Sequence, residues 1–286
     1  MQQFINHNGD FVPADLPMVK ANNRSFCYGD GLFETIRIAN YKPQFLKEHL
    51  QRLYTGMRVL KMIPNPEFTE TFFEHAILEL AQKNGITSDG RARLAVYRNE
   101  GGYYAPSDNH VSFLLEVTPI AEKGYTLNLK GYTVDLYTEV KKSLGVLSSI
   151  KSANSIMYVL AGIYKNSHSL DDCILVNDKG SITEAISSNI FAVKNGVLYT
   201  SPVADGCVDG VMRKKIIEIA LANRIAVYEL SVMQSVLLGA DELFLTNAIA
   251  GIRWVVAYKQ KRYFNTTSKK LTEKLNELIA QETKDQ

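Results

Sequence analysis

Along the first 117 residues the hydrophobic pattern switches repeatedly between a two-residue and a 3.6-residue period, which predicts strands and helices mixed in one unit. Phe4 and Ile5 precede an Asn8-Gly9 turn and Phe11-Val12 follows it, the pattern of a short hairpin. Residues 32–39, 91–98 and 111–117 read as strands. Between them Phe45, Leu46, Leu50, Leu53, Met57 and Leu60 recur at helical spacing, and a second helix is predicted from about Pro66 to Lys83, capped by Asn84-Gly85.

Residues 118–124 are short and polar, with Pro119 and Gly124, and are the expected inter-domain linker. Beyond them a strand is predicted over 125–139 and a helix over 152–166, with Ile156, Val159, Leu160 and Ile163 on one face. Two hairpin signals follow, at Asn177-Asp178-Lys179-Gly180 and Lys194-Asn195-Gly196, between the apolar runs 173–176, 189–193 and 197–200. Helices are predicted over 211–223 and 268–281. The expectation is an α+β chain of two domains: a small N-terminal α/β domain (1–117), the linker, and a larger strand-rich domain (125–286).

Composition narrows the class. A chain of 286 residues with 46% hydrophobic and 22% charged content can bury an ordinary core. The net charge of +2 argues against nucleic acid or an anionic membrane as partner. No stretch reaches the roughly 18 apolar residues of a membrane span. The first residues, Met1-Gln2-Gln3-Phe4, do not form a signal peptide. Three cysteines far apart, Cys27, Cys173 and Cys207, suggest a reducing cytoplasm rather than a disulfide framework. The five histidines show no metal-ligand spacing, so no metal is expected.

Taken singly, the candidate chemical groups are weak. Lys151 stands before a predicted helix, where the positive end of the helix disfavours a cation and depresses an amine's pKa. Glu184 falls between two predicted strands and reads as a loop carboxylate. Arg52 lies on an amphipathic helix and reads as a surface arginine. Asp209-Gly210 reads as an N-cap whose free amides suit an anion.

Order and spacing add what the single residues lack. Six blocks stand in sequence: Tyr28-Gly29-Asp30-Gly31-Leu32-Phe33-Glu34-Thr35-Ile36-Arg37; His49-Leu50-Gln51-Arg52-Leu53; Ile150-Lys151-Ser152-Ala153-Asn154; Gly180-Ser181-Ile182-Thr183-Glu184 through Ser188-Asn189-Ile190-Phe191; Asp209-Gly210-Val211-Met212-Arg213; and Ala240-Asp241-Glu242-Leu243-Phe244-Leu245-Thr246-Asn247-Ala248. Together they resemble the class IV aminotransferases, the fold-type IV enzymes of pyridoxal 5'-phosphate (PLP). That family includes branched-chain and D-amino acid aminotransferases and 4-amino-4-deoxychorismate lyases. The resemblance implies a D-amino acid aminotransferase-like fold of two domains. It also implies a homodimer, with the cofactor at the domain boundary and a small amine as substrate.

By the same resemblance Lys151 matches the lysine that condenses with the cofactor aldehyde and then serves as base. Glu184 matches the carboxylate facing the pyridine nitrogen, Asn189 a support of its loop, and Arg52 the phosphate-binding arginine. Val211 and Met212, with Asn247 and Ala248, match two phosphate-side turns. Phe33, Arg98 and Tyr103 are expected beside the substrate.

Within the family, Met212, Ala248 and the segment Gly29 through Thr35 look most like the lyases, which release pyruvate and form 4-aminobenzoate for folate biosynthesis. There Thr35 matches the hydroxyl that helps protonate the departing unit. Ile156 stands where branched-chain aminotransferases usually carry tyrosine. Arg98 and Ser187-Ser188 look like the D-amino acid enzymes. Transamination of branched-chain or D-amino acids is the alternative.

Overall fold

The computed structural model describes residues 2–282. Residues 283–286, the end of the expected C-terminal domain, lie outside the described residues. Two compact units emerge, one of residues up to Gly124 together with Ile150–Asn154, the other of Tyr125–Ser149 and the chain from Ser155 onward.

The first unit contains β1 (Phe4–His7), β2 (Asp10–Pro13), α1 (Arg24–Tyr28), β3 (Gly31–Ala39), β4 (Lys42–Pro43), α2 (Leu46–Val59), α3 (Glu70–Lys83), β5 (Gly90–Arg98) and β6 (Val111–Pro119). Its strands form one sheet in the order β2-β1-β6-β5-β3-β4. The β1–β2 hairpin turns at Asn8 and Gly9, both at positive φ, as the Asn-Gly pair predicts. Thr69 caps α3 by accepting from the Phe72 amide, so this helix begins later than the predicted Pro66.

Strict alternation on the central strands divides the sheet into two faces. Leu32, Ile36, Ile38, Leu94, Val96, Phe113 and Leu115 pack against Leu50, Leu53, Met57, Phe73 and Ile77 of α2 and α3. On the opposite face Phe33, Thr35, Arg93 and Tyr97 are only half-buried in the single chain. The expected linker is part of this unit. Thr118 and Pro119 finish β6, and the Gly124 amide donates to Asp89, which also pairs with buried Arg37.

The second unit contains β7 (Tyr132–Lys142), α4 (Ile156–Ser167), β8 (Asp172–Asn177), β9 (Ile182–Ala185), β10 (Asn189–Lys194), β11 (Val197–Thr200), α5 (Val211–Ala222), β12 (Val227–Glu229), α6 (Gln234–Gly239), β13 (Glu242–Asn247), β14 (Gly251–Tyr258), β15 (Lys261–Arg262) and α7 (Thr266–Glu282). A sheet in the order β12-β11-β10-β13-β14-β7-β8-β9 runs through it, with β15 on β14. Antiparallel pairs are joined in it by parallel ones, β11 with β12, β14 with β7 and β7 with β8. Those parallel pairs join strands far apart in sequence, which turn signals cannot reveal. The strand expected from residue 125 begins at Tyr132, because Tyr125 is instead held by Asn276 of α7. Among the described residues no helix is long and apolar enough to cross a membrane.

Candidate functional site

Lys151 does not sit at a helix start. Helix α4 begins at Ile156 with Ser155 as N-cap, so Lys151 lies four residues ahead of the cap and outside the first turn, where a helix end acts. The segment carrying Lys151 instead lies along the free edge of β3. The Phe33 amide donates to the Lys151 carbonyl at 3.0 Å, the Ala153 amide donates to Gly31 at 2.8 Å, and Leu32 faces Ser152. This antiparallel register puts Lys151 opposite Phe33 and Ile150 opposite Glu34. Ile150 accordingly enters the core, while the Lys151 ammonium projects to the other face, with Nζ 4.4 Å from the centroid of the Phe33 ring. Thr35 follows Phe33 on that same face, and Arg93 lies opposite Thr35 with its guanidinium 5.4 Å from the Phe33 ring. Lys151, Phe33 and Thr35 are thus brought together.

Arg52 is no surface arginine. Its Nε donates to Oε1 of Glu34 at 2.8 Å and its NH2 to Oε2 at 2.5 Å, a two-pronged pair in which the carboxylate is buried. His49 Nδ1 donates to Glu34 Oε2 at 2.6 Å from the preceding turn of α2. Burial opposes ionisation of Glu34, but the Arg52 charge and the hydrogen bonds from Arg52 and His49 outweigh it and hold the carboxyl down at about 2. Burial likewise pushes the His49 pKa down, against the pull of Glu34, so the ring is neutral and gives its Nδ1 proton to the carboxylate.

The structure gives Arg98 a different task from the expected contact with substrate. Its guanidinium donates to both oxygens of Asp30, to the Leu60 and Lys61 carbonyls and to Asn109. All five N–H directions are taken within the chain. Burial works against ionisation of Asp30, but Arg98 and Arg24 overcome it and lower its pKa. Arg24 in turn donates to the carbonyls of Gly101, Gly102 and Tyr103. Tyr103 itself points outward and is 83% exposed in the single chain.

In the second unit Glu184 stands on β9, not in a solvated loop, and is buried. Its Oε1 accepts from Lys142 Nζ and from the Tyr158 hydroxyl, and its Oε2 accepts from the Val208 amide at 2.8 Å. Asn189 does not brace the Glu184 segment directly. It donates to the Val208 carbonyl at 2.8 Å, and so supports Glu184 through the residue that binds it.

Gly210, rather than Asp209, is the N-cap of α5, and Asp209 pairs with Lys214. A glycine cap supplies no side-chain acceptor, so no N-cap side chain covers the first amides of α5, those of Val211 and Met212, and a helix start of this kind suits an anion. A Cβ on Gly210 would stand 1.8 Å from Asn189 Oδ1. Asn189 is also the cross-strand partner of Thr246, whose buried hydroxyl has no hydrogen-bond partner. Next to it, Asn247 Oδ1 accepts from the Ile249 and Ala250 amides, and Tyr125 fixes the Ala248 carbonyl. The glycine-lined helix start, the orphaned hydroxyl and the tight 246–250 turn therefore converge on Asn189. These donors fit a phosphate monoester; each within its own unit, Lys151 in the first suits an aldehyde and buried Glu184 in the second suits a pyridine nitrogen.

Arg93, Lys142 and Tyr158 escape the motif reading. The alternation of β5 could have placed Arg93 beside Thr35, whereas Lys142 and Tyr158 meet Glu184 from 42 and 26 residues away, leaving no local signal.

A family model described as amino-transferase class IV matches residues 31–258. The chain is 32% identical to the "Putative branched-chain-amino-acid aminotransferase" of Methanocaldococcus jannaschii, over 94% of this chain and 93% of that one. It is 29% identical to the aminodeoxychorismate lyase of Bacillus subtilis, over 86% and 83% respectively. The crystal structure of a branched-chain aminotransferase from Thermoproteus uzoniensis with norvaline superposes with a TM-score of 0.87, over 96% of this chain and 94% of that chain. At 22% identity that last likeness is one of fold, the fold-type IV architecture.

Proposed function

The chain belongs to the class IV aminotransferase family of PLP-dependent enzymes, and from that premise we propose that it is a 4-amino-4-deoxychorismate lyase, forming 4-aminobenzoate and pyruvate. The observation that carries this reading is the shared face of β3. Thr35 presents its hydroxyl on the side where Lys151 stands over Phe33. When bound, PLP supplies the electron sink for the carbon that bears the substrate amine. Lys151 is its covalent anchor, Glu184 its ring-nitrogen partner, and Arg52, Val211, Met212, Asn247 and Ala248 its phosphate donors, with Asn189 as their support.

Once the substrate amine has displaced it from the cofactor, the freed Lys151 amine would take the proton from the substrate carbon bearing that amine. The bond to the enolpyruvyl oxygen would break as the ring becomes aromatic, the Thr35 hydroxyl giving a proton to the methylene carbon of the departing unit, which leaves as pyruvate, and regaining one from the Lys151 ammonium. Aromatisation drives the step, so one base and one donor on a common face suffice. Phe33 and Tyr103 border the substrate in this reading, while Arg98 holds Asp30. Its place is the cytoplasm, in keeping with three unpaired cysteines, and its working form is a homodimer.

The 32% identity to the M. jannaschii relative favours a second reading, transamination of branched-chain amino acids. Incubation with aminodeoxychorismate, beside L- and D-amino acids with 2-oxoglutarate or pyruvate, separates the two. The lyase reading expects 4-aminobenzoate, at a rate cut by roughly a hundredfold in Thr35→Val. Amino transfer from leucine without any 4-aminobenzoate would overturn it.

A further inference from the structure

Glu184 is buried with a cation of its own. Lys142, the last residue of β7, has a side chain 6% exposed, and its ammonium meets Glu184 Oε1 while also lying 2.9 Å from the Tyr158 hydroxyl. Tyr158 donates to the same Oε1 at 2.7 Å. Three donors thus hold one carboxylate, two on Oε1 and the Val208 amide on Oε2. Cys207, whose thiol burial pushes up to about 12, feels the Glu184 charge, with Arg213, Lys142 and Asp209 also acting on it. Burial, then the Glu184 charge and hydrogen bond, push the Tyr158 hydroxyl far up, so it stays a donor. A buried ammonium–carboxylate pair is a poor source of stability, because desolvating both ions offsets their attraction. Its place against the one carboxylate assigned to the cofactor ring calls for another account.

We propose that Lys142 and Tyr158 are positioning residues that aim Glu184, and that the Lys142 charge sets how firmly Glu184 holds a proton on the pyridine nitrogen. The proposal rests on the reading of Glu184 as the partner of that nitrogen. An unaccompanied buried carboxylate would hold a pyridinium strongly. With an ammonium on Oε1 the pair is close to neutral, and the ring proton is held less firmly. A moderated electron sink suits a reaction driven by aromatisation, which needs less stabilisation of the carbanion than amino transfer does.

The test uses the full-length protein reconstituted with PLP carrying nitrogen-15 in the ring. The ring nitrogen shift is followed against pH in the native protein and in Lys142→Gln, Lys142→Arg, Tyr158→Phe and Glu184→Gln. The native ring nitrogen should lose its proton within the pH range where the protein stays folded. Lys142→Gln should move that equilibrium by roughly tenfold or more toward the protonated form, since one nearby charge is removed from a dry site. Tyr158→Phe should move it less in the same direction, Lys142→Arg should keep the native curve, and Glu184→Gln should move it the opposite way. A Glu184→Gln curve identical to native removes the premise, and the proposal falls with it. If Glu184→Gln shifts the curve but Lys142→Gln superimposes on native, the role of Lys142 alone is overturned. Should Lys142→Gln fail to fold, a Tyr158→Phe curve identical to native overturns the proposal in its place.

Discussion

Glu34 shows how much a single residue's meaning depends on partners that sequence does not display. In the run Leu32-Phe33-Glu34-Thr35 it is one polar letter in an alternating strand, yet alternation alone assigns it to the core face beside Leu32 and Ile36. What makes the position tolerable is the Arg52 fork and the His49 ring, one turn apart on α2. Removing the charge by Glu34→Gln leaves Arg52 without its counter-ion and should destabilise the fold by about 3 kcal/mol at neutral pH. The pH dependence follows from the carboxyl being held at about 2 against an ordinary 4.5. Its stabilisation is complete above that ordinary value and disappears as pH falls toward the folded-state value. Urea unfolding of both proteins should therefore show the gap narrowing as pH drops through that window, and a gap independent of pH would refute the assignment. Arg98 makes the converse point: its sequence context marked it as a candidate, but Asp30, Leu60, Lys61 and Asn109 claim its donors from up to 68 residues away.

At the scale of elements, those defined by local chemistry were legible and those defined by distant pairing were not. The Asn8-Gly9 hairpin, α2, β5, β10 and α5 lie within a few residues of their predicted bounds because turn residues and apolar period are local signals. The strand nature of β9 was hidden, since its partner β8 precedes it across an irregular register and its own four residues include Thr183 and Glu184. The place of Lys151 escapes local pattern for a related reason, because its segment pairs with β3 more than a hundred residues earlier. The start of α5 offers a test of element geometry. An alanine at Gly210 would drive its Cβ into Asn189 Oδ1, and neither can yield without moving the Val208 carbonyl that Asn189 holds. Gly210→Ala should cost about 2 kcal/mol of stability, in the range of an overpacked core, and weaken PLP binding measured by fluorescence titration. Adding Asn189→Ala relieves the collision, so the double variant should recover stability relative to Gly210→Ala. Additive losses in the pair would show that the glycine is needed for some other reason.

For the whole molecule, motif order identified the family, while the assignment of residues to units came only with the structure. Lys151 was expected in the larger domain and belongs instead with β3, through backbone hydrogen bonds no motif encodes. The predicted apolar stripe of α4 also has an unexpected outcome. Tyr158, Ala161 and Tyr164 face inward, with Tyr137, Cys173 and Leu175, whereas Ile156, Val159, Leu160 and Ile163 are 63%, 52%, 39% and 61% exposed in the single chain. Four large apolar side chains at positions i, i+3, i+4 and i+7 make a continuous stripe, and soluble surfaces rarely leave such a stripe open to water. A second copy of the chain is the occupant that the proposed homodimer requires, and a two-fold contact would set stripe against stripe. Light scattering on the purified protein should give twice the 32.0 kDa chain mass. Val159→Glu with Ile163→Glu places charges in the middle of the stripe without touching Ala161 or the inward tyrosines, so the helix content should persist while the mass falls to that of one chain. A native protein already at one chain mass, or a charged variant still at two, would place the dimer contact elsewhere or abolish it.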